Sequence, residues 1–317
     1  RFVAAADQPF AGGTSPAAAG DVLVVQGAAV YDDRVFDRLL AAGEGVAVCG
    51  PDGAVAARLG PRQAGAAVRD GRLVVEAEPL RAGGVRCVSP QTLDPYVPAL
   101  RLRMPAVIAR VPATGSLRAL DHLMYRRTFK GAIDAVARYG YYHLVRWITR
   151  HLCATSLAPN LFTLLSIGAV WAAVPLFATG RFAAAVVVAW AGVILDSVDG
   201  KLARLRLHLS STMGAVEHLT AMPALGLWYL AIGWRLTGGD LRSGQPLALI
   251  TWGLVGAFLL DKCVTGAFKA AQGRELFDCA PSDAAFPLVA ARRNVSLVML
   301  SVGAAAGRMA PALAAVA

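Results

Sequence analysis

From Leu157 onward the chain is a succession of apolar runs long enough to cross a bilayer, and no other feature narrows its fold as much. Hydrocarbon offers backbone amides no water to bond, so a crossing segment has to satisfy them within a helix or a closed barrel. The runs are Leu161–Ala178, Phe182–Leu195 continuing through Asp196 to Ala203, Met213–Leu236 with Pro223 inside it, Leu247–Ala267 and Phe286–Ala306. A crossing needs about 20 residues. Residues 307–317 are too few for another full span, so a sixth helix would be short or cut off. Residues 157–317 are therefore expected to form an all-α polytopic membrane bundle of five to six transmembrane helices. Residues 1–150 hold no run of that length, and the whole-chain mean hydropathy of +0.52 averages a membrane part and a soluble part.

The 317 residues carry a formal net charge of +10, and the basic residues gather beside the apolar runs. Arg150 precedes the first span, Lys201, Arg204 and Arg206 follow the second, and Lys269 and Arg274 follow the fourth. The opposite turns hold only Arg181, then Arg235 and Arg242. Positive charge marks the cytoplasmic side. This places the N-terminus and the 196–217 segment at the cytoplasmic face of the inner membrane, with multiple passes and membrane lipids as partners. No nucleic-acid recognition motif accompanies the charge, so nucleic acid is not an expected partner. Cys49, Cys87, Cys153, Cys263 and Cys279 are scattered without a C-x-x-C pair, which fits reduced thiols rather than a disulfide frame or zinc site.

Before the spans, residues 1–20 read as a flexible leader. Residues 21–115 read as a small α/β cytoplasmic domain. Its strands are expected at Asp21–Ala29, Gly45–Cys49, Ala54–Leu59, Gly71–Glu76 and Val85–Val88, with a turn at Asp32–Asp33 and a helix over Val35–Ala42. Residues 116–156 read as a basic interfacial helix: Leu117–Leu152 interleaves Arg126, Arg127, Lys130, Arg138, Arg146 and Arg150 with Tyr139, Tyr141, Tyr142 and Trp147.

The chemistry-bearing run is Asp196-Ser-Val-Asp199-Gly200-Lys201-Leu-Ala203-Arg204, at the end of the second span. Asp196 and Asp199 are three residues apart, so a helix turns both carboxylates to one face. Two carboxylates at membrane depth are costly, and a hard divalent cation is the usual reason for such a pair. Gly200 leaves room for a phosphate or another chain to approach. Lys201 and Arg204 add the positive charge that a diphosphate requires. A snorkelling helix end explains the Lys and the Arg, but not the acid pair with Gly and Ala at fixed spacing.

This run resembles the signature of the CDP-alcohol phosphotransferase (CDP-alcohol phosphatidyltransferase) family, D-x2-D-G-x2-A-R-x8-G-x3-D-x3-D. Asp196, Asp199, Gly200, Ala203 and Arg204 fill its first five fixed positions. Pro159-Asn160-Leu-Phe-Thr163 is similar to the family's P-N-x-x-T, whose Asn lies by the cytidine nucleotide. The resemblance runs from Leu157 to the end of the chain. It implies six spans, a metal site with Mg2+ or Mn2+, a CDP-alcohol donor, an alcohol or phospho-alcohol acceptor, and CMP as leaving group, in membrane lipid or phospho-alcohol biosynthesis. Nucleotide contacts are then expected from Asn160, Thr163, Gly200, Lys201, Ala203 and Arg204. A homodimer is compatible with such a bundle.

The second half of the signature departs. Counted from Arg204, its glycine falls on Met213 and its third and fourth acids on Glu217 and Ala221; counted from Gly214, the acids fall on His218 and Met222. The first register keeps a metal-binding carboxylate, so Asp196, Asp199 and Glu217 are the expected metal ligands. In either register the fourth acid is missing, and the resemblance makes that acid the base for the attacking hydroxyl. Loss of a general base typically costs about 10²–10⁴ in rate. Three readings stay open. His218 serves as base, or the acceptor is activated by metal or by its own phosphate, or the chain binds a nucleotide without turning it over, as a membrane nucleotide-binding or scaffold protein.

Acceptor contacts are expected from Lys262, adjacent to Asp261 in the fourth span, and from the Arg292-Arg293-Asn294 run near the fifth, chiefly through Arg292 and Arg293. A structural ion pair and interfacial anchoring are the plain alternatives. Val22–Leu40 faintly resembles the middle of a nucleotidyltransferase domain. Ala29 (or Ala28) stands where that domain's metal-binding Asp would be, so the 21–115 unit reads as a degenerate relative with a packing or regulatory role. A transporter would need internal repeats, and the sequence shows none.

Overall fold

The computed structural model describes residues 2–5, 21–66, 68–69, 72–73, 75–97, 100, 102–113, 117–129, 133–206, 211–242, 244–273, 276 and 292–317. The chain divides into two compact units, Arg1–Met124 and Tyr125–Ala317.

The first unit is built on a mixed five-stranded sheet. Its strands are β1 (Phe2–Ala5), β2 (Val22–Gln26), β4 (Val46–Cys49), β5 (Val55–Leu59) and β6 (Arg86–Val88), in the order β1-β2-β5-β4-β6. The two outer pairings are parallel and the two inner ones antiparallel, with Val24 and Ala47 both opposite Ala57. Successive side chains point to opposite faces, and both faces are covered. Val22, Val24, Ala47, Val55, Ala57 and Leu59 pack against Ala64 and Leu80 of helices α2 (Pro61–Ala66) and α3 (Ala77–Ala82). Leu23, Val46, Val48 and Ala56 pack against Val35 and Leu39 of α1 (Asp33–Ala42). Strands buried on both sides read as unbroken apolar runs, which is why they stand out in the sequence.

Three details differ from the sequence reading. Phe2–Ala5, inside the expected leader, forms a strand because β2 offers it an unpaired edge; residues 6–20 lie outside the described residues. The first long strand stops at Gln26. Tyr31 turns back, its hydroxyl donating to Gln26 O (2.9 Å) and accepting from Gln26 N (2.8 Å), so Ala29–Tyr31 become a separate strand β3 paired with β7 (Ile108–Arg110). Asp32 is not a turn residue but the cap of α1. Its carboxylate accepts from Arg34 N at 3.2 Å and holds the Arg34 guanidinium at 2.8 Å, which starts the helix at Asp33.

The basic stretch is not one helix. It is α4 (Arg118–Arg126), a π-helical turn (Val136–Gly140) and α5 (Tyr142–Cys153). Thr128 closes the first piece by donating to Tyr125 O at 2.6 Å, and Asp134 opens the next by accepting from Ala137 N at 2.9 Å. Both are side-chain bonds that compete with a continuous helix. In α5 Val145 and Thr149 turn inward while Leu144 and Trp147 are exposed.

The helical bundle consists of α6 (Pro159–Ala178), α7 (Phe182–Leu205), α8 (Ser211–Leu236), α9 (Pro246–Gln272), α10 (Arg293–Ala305) and α11 (Met309–Val316). Among the described residues three helices, α6, α7 and α9, are long and apolar enough to cross a membrane. The expected count of five to six is not reached at the C-terminal end for a local reason. Gly307 takes φ +65 after Ala305, and α11 folds back onto α10 as a hairpin. The 13 residues of α10, at 1.5 Å each, span only about 20 Å. The start of the expected fifth run, 286–291, lies outside the described residues.

In lipid, helices hold together by close packing and interhelical hydrogen bonds rather than by the hydrophobic effect. Ala185, Ala189 and Gly192 let α7 approach Val170, Ala173 and Phe177 of α6. Ser166 Oγ of α6 donates to Gly192 O at 2.9 Å, and Trp228 Nε1 of α8 donates to Val170 O at 2.9 Å. Trp190 Nε1 donates to Ser301 Oγ at 2.9 Å and ties α7 to α10. Past the end of α7, Arg206 donates to the carbonyls of Leu152, Thr155 and Leu157, fixing the α5–α6 connection beside it.

Candidate active site

The last three turns of α7 face a cavity of about 240 Å³ and line it with Asp196, Ser197, Asp199, Gly200, Lys201 and Arg204. The i, i+3, i+4 spacing of these residues is what puts them on one helix face. Glu217 comes from α8, Arg293 and Asn294 from the start of α10, and Thr128, Phe129, Asp134 and Tyr141 from the stretch before α5. Three carboxylates of the signature region and three cations, Lys201, Arg204 and Arg293, thus share one small space.

The charges are arranged in pairs. Arg293 Nη2 donates to Asp196 Oδ2 at 2.5 Å, with both side chains about three-quarters covered. The Glu217 carboxyl is hydrogen-bonded to Asp196. Asp199 is buried and accepts from the Thr163 hydroxyl of α6. Lys201 is also buried, its ammonium 4.6 Å from the centroid of the Phe129 ring, a cation–π contact that partly offsets lost hydration. Arg204 Nε is covered and has no acceptor among the described residues. A buried donor of this kind is costly unless an anion meets it.

Behind these charges runs a hydrogen-bonded network built on Asp134 and Asn294. Asn294 Nδ2 donates to Asp134 Oδ2 and to the Tyr141 hydroxyl oxygen, each at 2.8 Å, and the Tyr141 hydroxyl lies 3.2 Å from Ser197 Oγ. Burial pushes the Tyr141 phenol up to about 12, so it keeps its proton across the physiological range.

Carboxylates are the right donor class for Mg2+ or Mn2+. Among the described residues, however, no three acids, histidines or cysteines are poised on a common ion, and Arg293 takes one oxygen of Asp196.

Of the residues singled out in the sequence, Asp196, Asp199, Gly200, Lys201, Arg204, Glu217 and Arg293 line the cavity. Thr163 reaches it only through Asp199. Asn160 sits in the first turn of α6, Ala203 in α7, and Arg292 caps α10; none of these is among the lining residues. Lys262 is on α9, where it pairs with Asp261 at 2.6 Å, and it does not line the cavity either. The side chain of His218 lies outside the described residues. The sequence reading missed Phe129, Asp134, Tyr141 and Ser197, and it marked Asn294 only as part of the Arg292-Arg293-Asn294 run. One signal was available: Asp134 is an acid within a strongly basic stretch.

Comparison with known proteins bears on the same helices. No curated protein matches the chain. Among solved structures, the chain is similar to Mycobacterium tuberculosis phosphatidylinositol phosphate synthase, solved with CDP-DAG bound. Identity is 19%, the match covers 55% of this chain and 86% of that one, and the TM-score is 0.43. The sequence profile of the CDP-alcohol phosphatidyltransferase family matches residues 156–217, which include α6, α7 and the Glu217 turn of α8. Over residues 156–217, the chain is similar to the CDP-alcohol phosphatidyltransferase family.

Proposed function

We propose that the protein transfers a substituted phosphate group from a CDP-alcohol to an alcohol or phospho-alcohol acceptor, releasing CMP, in membrane lipid or phospho-alcohol biosynthesis. The observation that carries this reading is the single cavity in which Asp196, Asp199 and Glu217 meet Lys201, Arg204 and Arg293 within a segment of this family. Lys201 and Arg204 would bind the diphosphate of the donor, with Arg204 Nε finding there the acceptor it lacks. Asn160 and Thr163 at the start of α6 would lie toward the nucleotide. Asp196, Asp199 and Glu217 would hold a divalent cation, which when bound neutralises the diphosphate and the departing CMP. Arg293 and Arg292 would hold the acceptor's phosphate, with Arg293 exchanging Asp196 for it.

In the reaction, the acceptor oxygen bonds to the alcohol-linked phosphorus, and the bond from that phosphorus to the bridging oxygen breaks in line. CMP leaves with the bridging oxygen and its electron pair. The hydroxyl proton goes to a base, and either His218 or the acceptor's own phosphate would take it, because Ala221 leaves no carboxylate at the fourth position. The basic loops support a cytoplasmic site at the inner membrane, with α5 lying along the headgroups through Leu144 and Trp147. The N-terminal unit would be a degenerate nucleotidyltransferase relative with a packing role.

Purified protein in detergent, given Mg2+ or Mn2+, a panel of CDP-alcohols and polyol acceptors, should release CMP, and Asp199→Asn should abolish that release. Ala221 favours one other reading, a family member that binds the nucleotide without turnover. In that case CDP-alcohol binds but no CMP appears with any donor.

A further inference from the structure

Beside Arg293 stands a group that the proposed reaction, on which this inference rests, leaves unused. Asn294 is 6% exposed and lines the cavity. Its two hydrogen bonds among the described residues are both made by the amide nitrogen, to Asp134 Oδ2 and to the Tyr141 hydroxyl oxygen at 2.8 Å each. Asp134 uses its other oxygen to accept from Ala137 N, so its carboxylate faces donors on both sides. Chemistry therefore fixes the amide orientation: nitrogen toward Asp134, Oδ1 away from it. Tyr141, having accepted from Asn294, has its own proton left for Ser197 Oγ. Every polar group of the network then has a use except Asn294 Oδ1, which is covered and has no donor among the described residues. A buried oxygen held in place and left without a donor marks a position where a ligand's O–H or N–H belongs.

We propose that Asn294 Oδ1 receives a hydroxyl of the acceptor alcohol, and that this hydroxyl is not the one that reacts. The reacting hydroxyl must surrender its proton to a base, whereas a neutral amide oxygen accepts a hydrogen bond without taking the proton. The acceptor is therefore a polyol, anchored at one hydroxyl by Asn294 while another attacks phosphorus. Asp134 and Tyr141 are positioning residues that hold the amide in register.

The test uses the full-length protein with CDP-diacylglycerol as donor. Glycerol, inositol and their monophosphates, each with its singly deoxygenated analogues, serve as acceptors. With the wild type, removal of one non-reacting hydroxyl should raise the acceptor KM about tenfold, the effect of one neutral hydrogen bond. Asn294→Ala should raise the KM of the intact polyol by the same factor, leave the donor KM within about twofold, and no longer distinguish the analogue. Trp228→Phe, which loses a buried bond to Val170 O away from the cavity, serves as the stability control, and it should lower the melting midpoint without moving the acceptor KM. The deoxy comparison needs no variant, so it stands even if Asn294→Ala fails to fold. Equal KM for every analogue, or CMP release to monohydric alcohols as readily as to polyols, overturns the inference and leaves the transferase reading intact. No CMP release with any donor and acceptor overturns both.

Discussion

The contact between α6 and α7 at Gly192 couples packing to the site, and substitution there should damage both. A Cβ added at Gly192 would lie 2.9 Å from Val170 Cγ2 and 3.3 Å from both Ala169 Cβ and Ser166 O. Carbon pairs pack at about 3.5–4.0 Å, so even alanine falls short by about 0.6 Å. Val170 is fully buried and has nowhere to swing. Overpacking of this kind costs about 1–3 kcal/mol, with Gly192→Ala at the low end and Gly192→Val at the high end. For a unit of this size each kcal/mol lowers the melting midpoint by about 2–4 °C, so the valine variant should melt roughly 6–12 °C lower. The shift also carries to the chemistry. Asp196 lies one turn beyond Gly192, and Thr163, which holds Asp199, lies one turn before Ser166. A misplacement approaching 1 Å can cost about 10²-fold in rate. Thermal unfolding in detergent, followed by tryptophan fluorescence, gives the first number, and CMP release gives the second. If Gly192→Val melts within about 1 °C of the wild type and turns over normally, α6 and α7 do not meet through this glycine, and the geometry of the site loses its support.

Three further outcomes are expected. Arg293→Ala removes the partner of Asp196 from a pair that is still about a quarter exposed, so the loss should be about 1–2 kcal/mol after solvent screening; Arg293→Lys should restore only part of it because the planar fork is gone, and an unchanged midpoint would rule out the pair. The Tyr141 phenol is raised in the folded state, so its contribution to stability is complete below pH about 10 and is lost as pH rises toward about 12; in a pH series of melting midpoints, Tyr141→Phe should flatten part of that alkaline decline. Burial pushes the Cys49 thiol up to about 12, so at pH 8 a maleimide should label exposed Cys153 well before Cys49, and equal rates would contradict the packing of β4.

What the sequence revealed and what it hid follow from the range of the interactions involved. α6, α7 and α9 were legible because each holds a predominantly apolar stretch of a span's length, and the acid pair was legible because helical periodicity alone sets Asp196 beside Asp199. Glu217 followed from register. The break in the basic stretch was hidden because it depends on single side chains, Thr128 and Asp134, bonding to local backbone. The α10–α11 hairpin depends on one glycine at positive φ. The Asp134–Asn294 network was hidden for a different reason. Asn294 and Asp134 are 160 positions apart, and only the folded bundle brings the start of α10 against the stretch before α5. The sequence marked the Arg292-Arg293-Asn294 run through its charge and gave no partner for the neutral residue at its end.

The central claim, transfer from a CDP-alcohol at the Asp196–Glu217 cavity, is tested most directly by following phosphorus itself. Purified protein is incubated with a CDP-alcohol, a polyol acceptor and Mg2+ while phosphorus NMR is recorded. The coupled diphosphate signals should be replaced in step by one CMP monophosphate and one new phosphodiester, and Asp199→Asn should stop the change. Diphosphate signals that persist unchanged, or that decay equally fast in Asp199→Asn, would contradict the account.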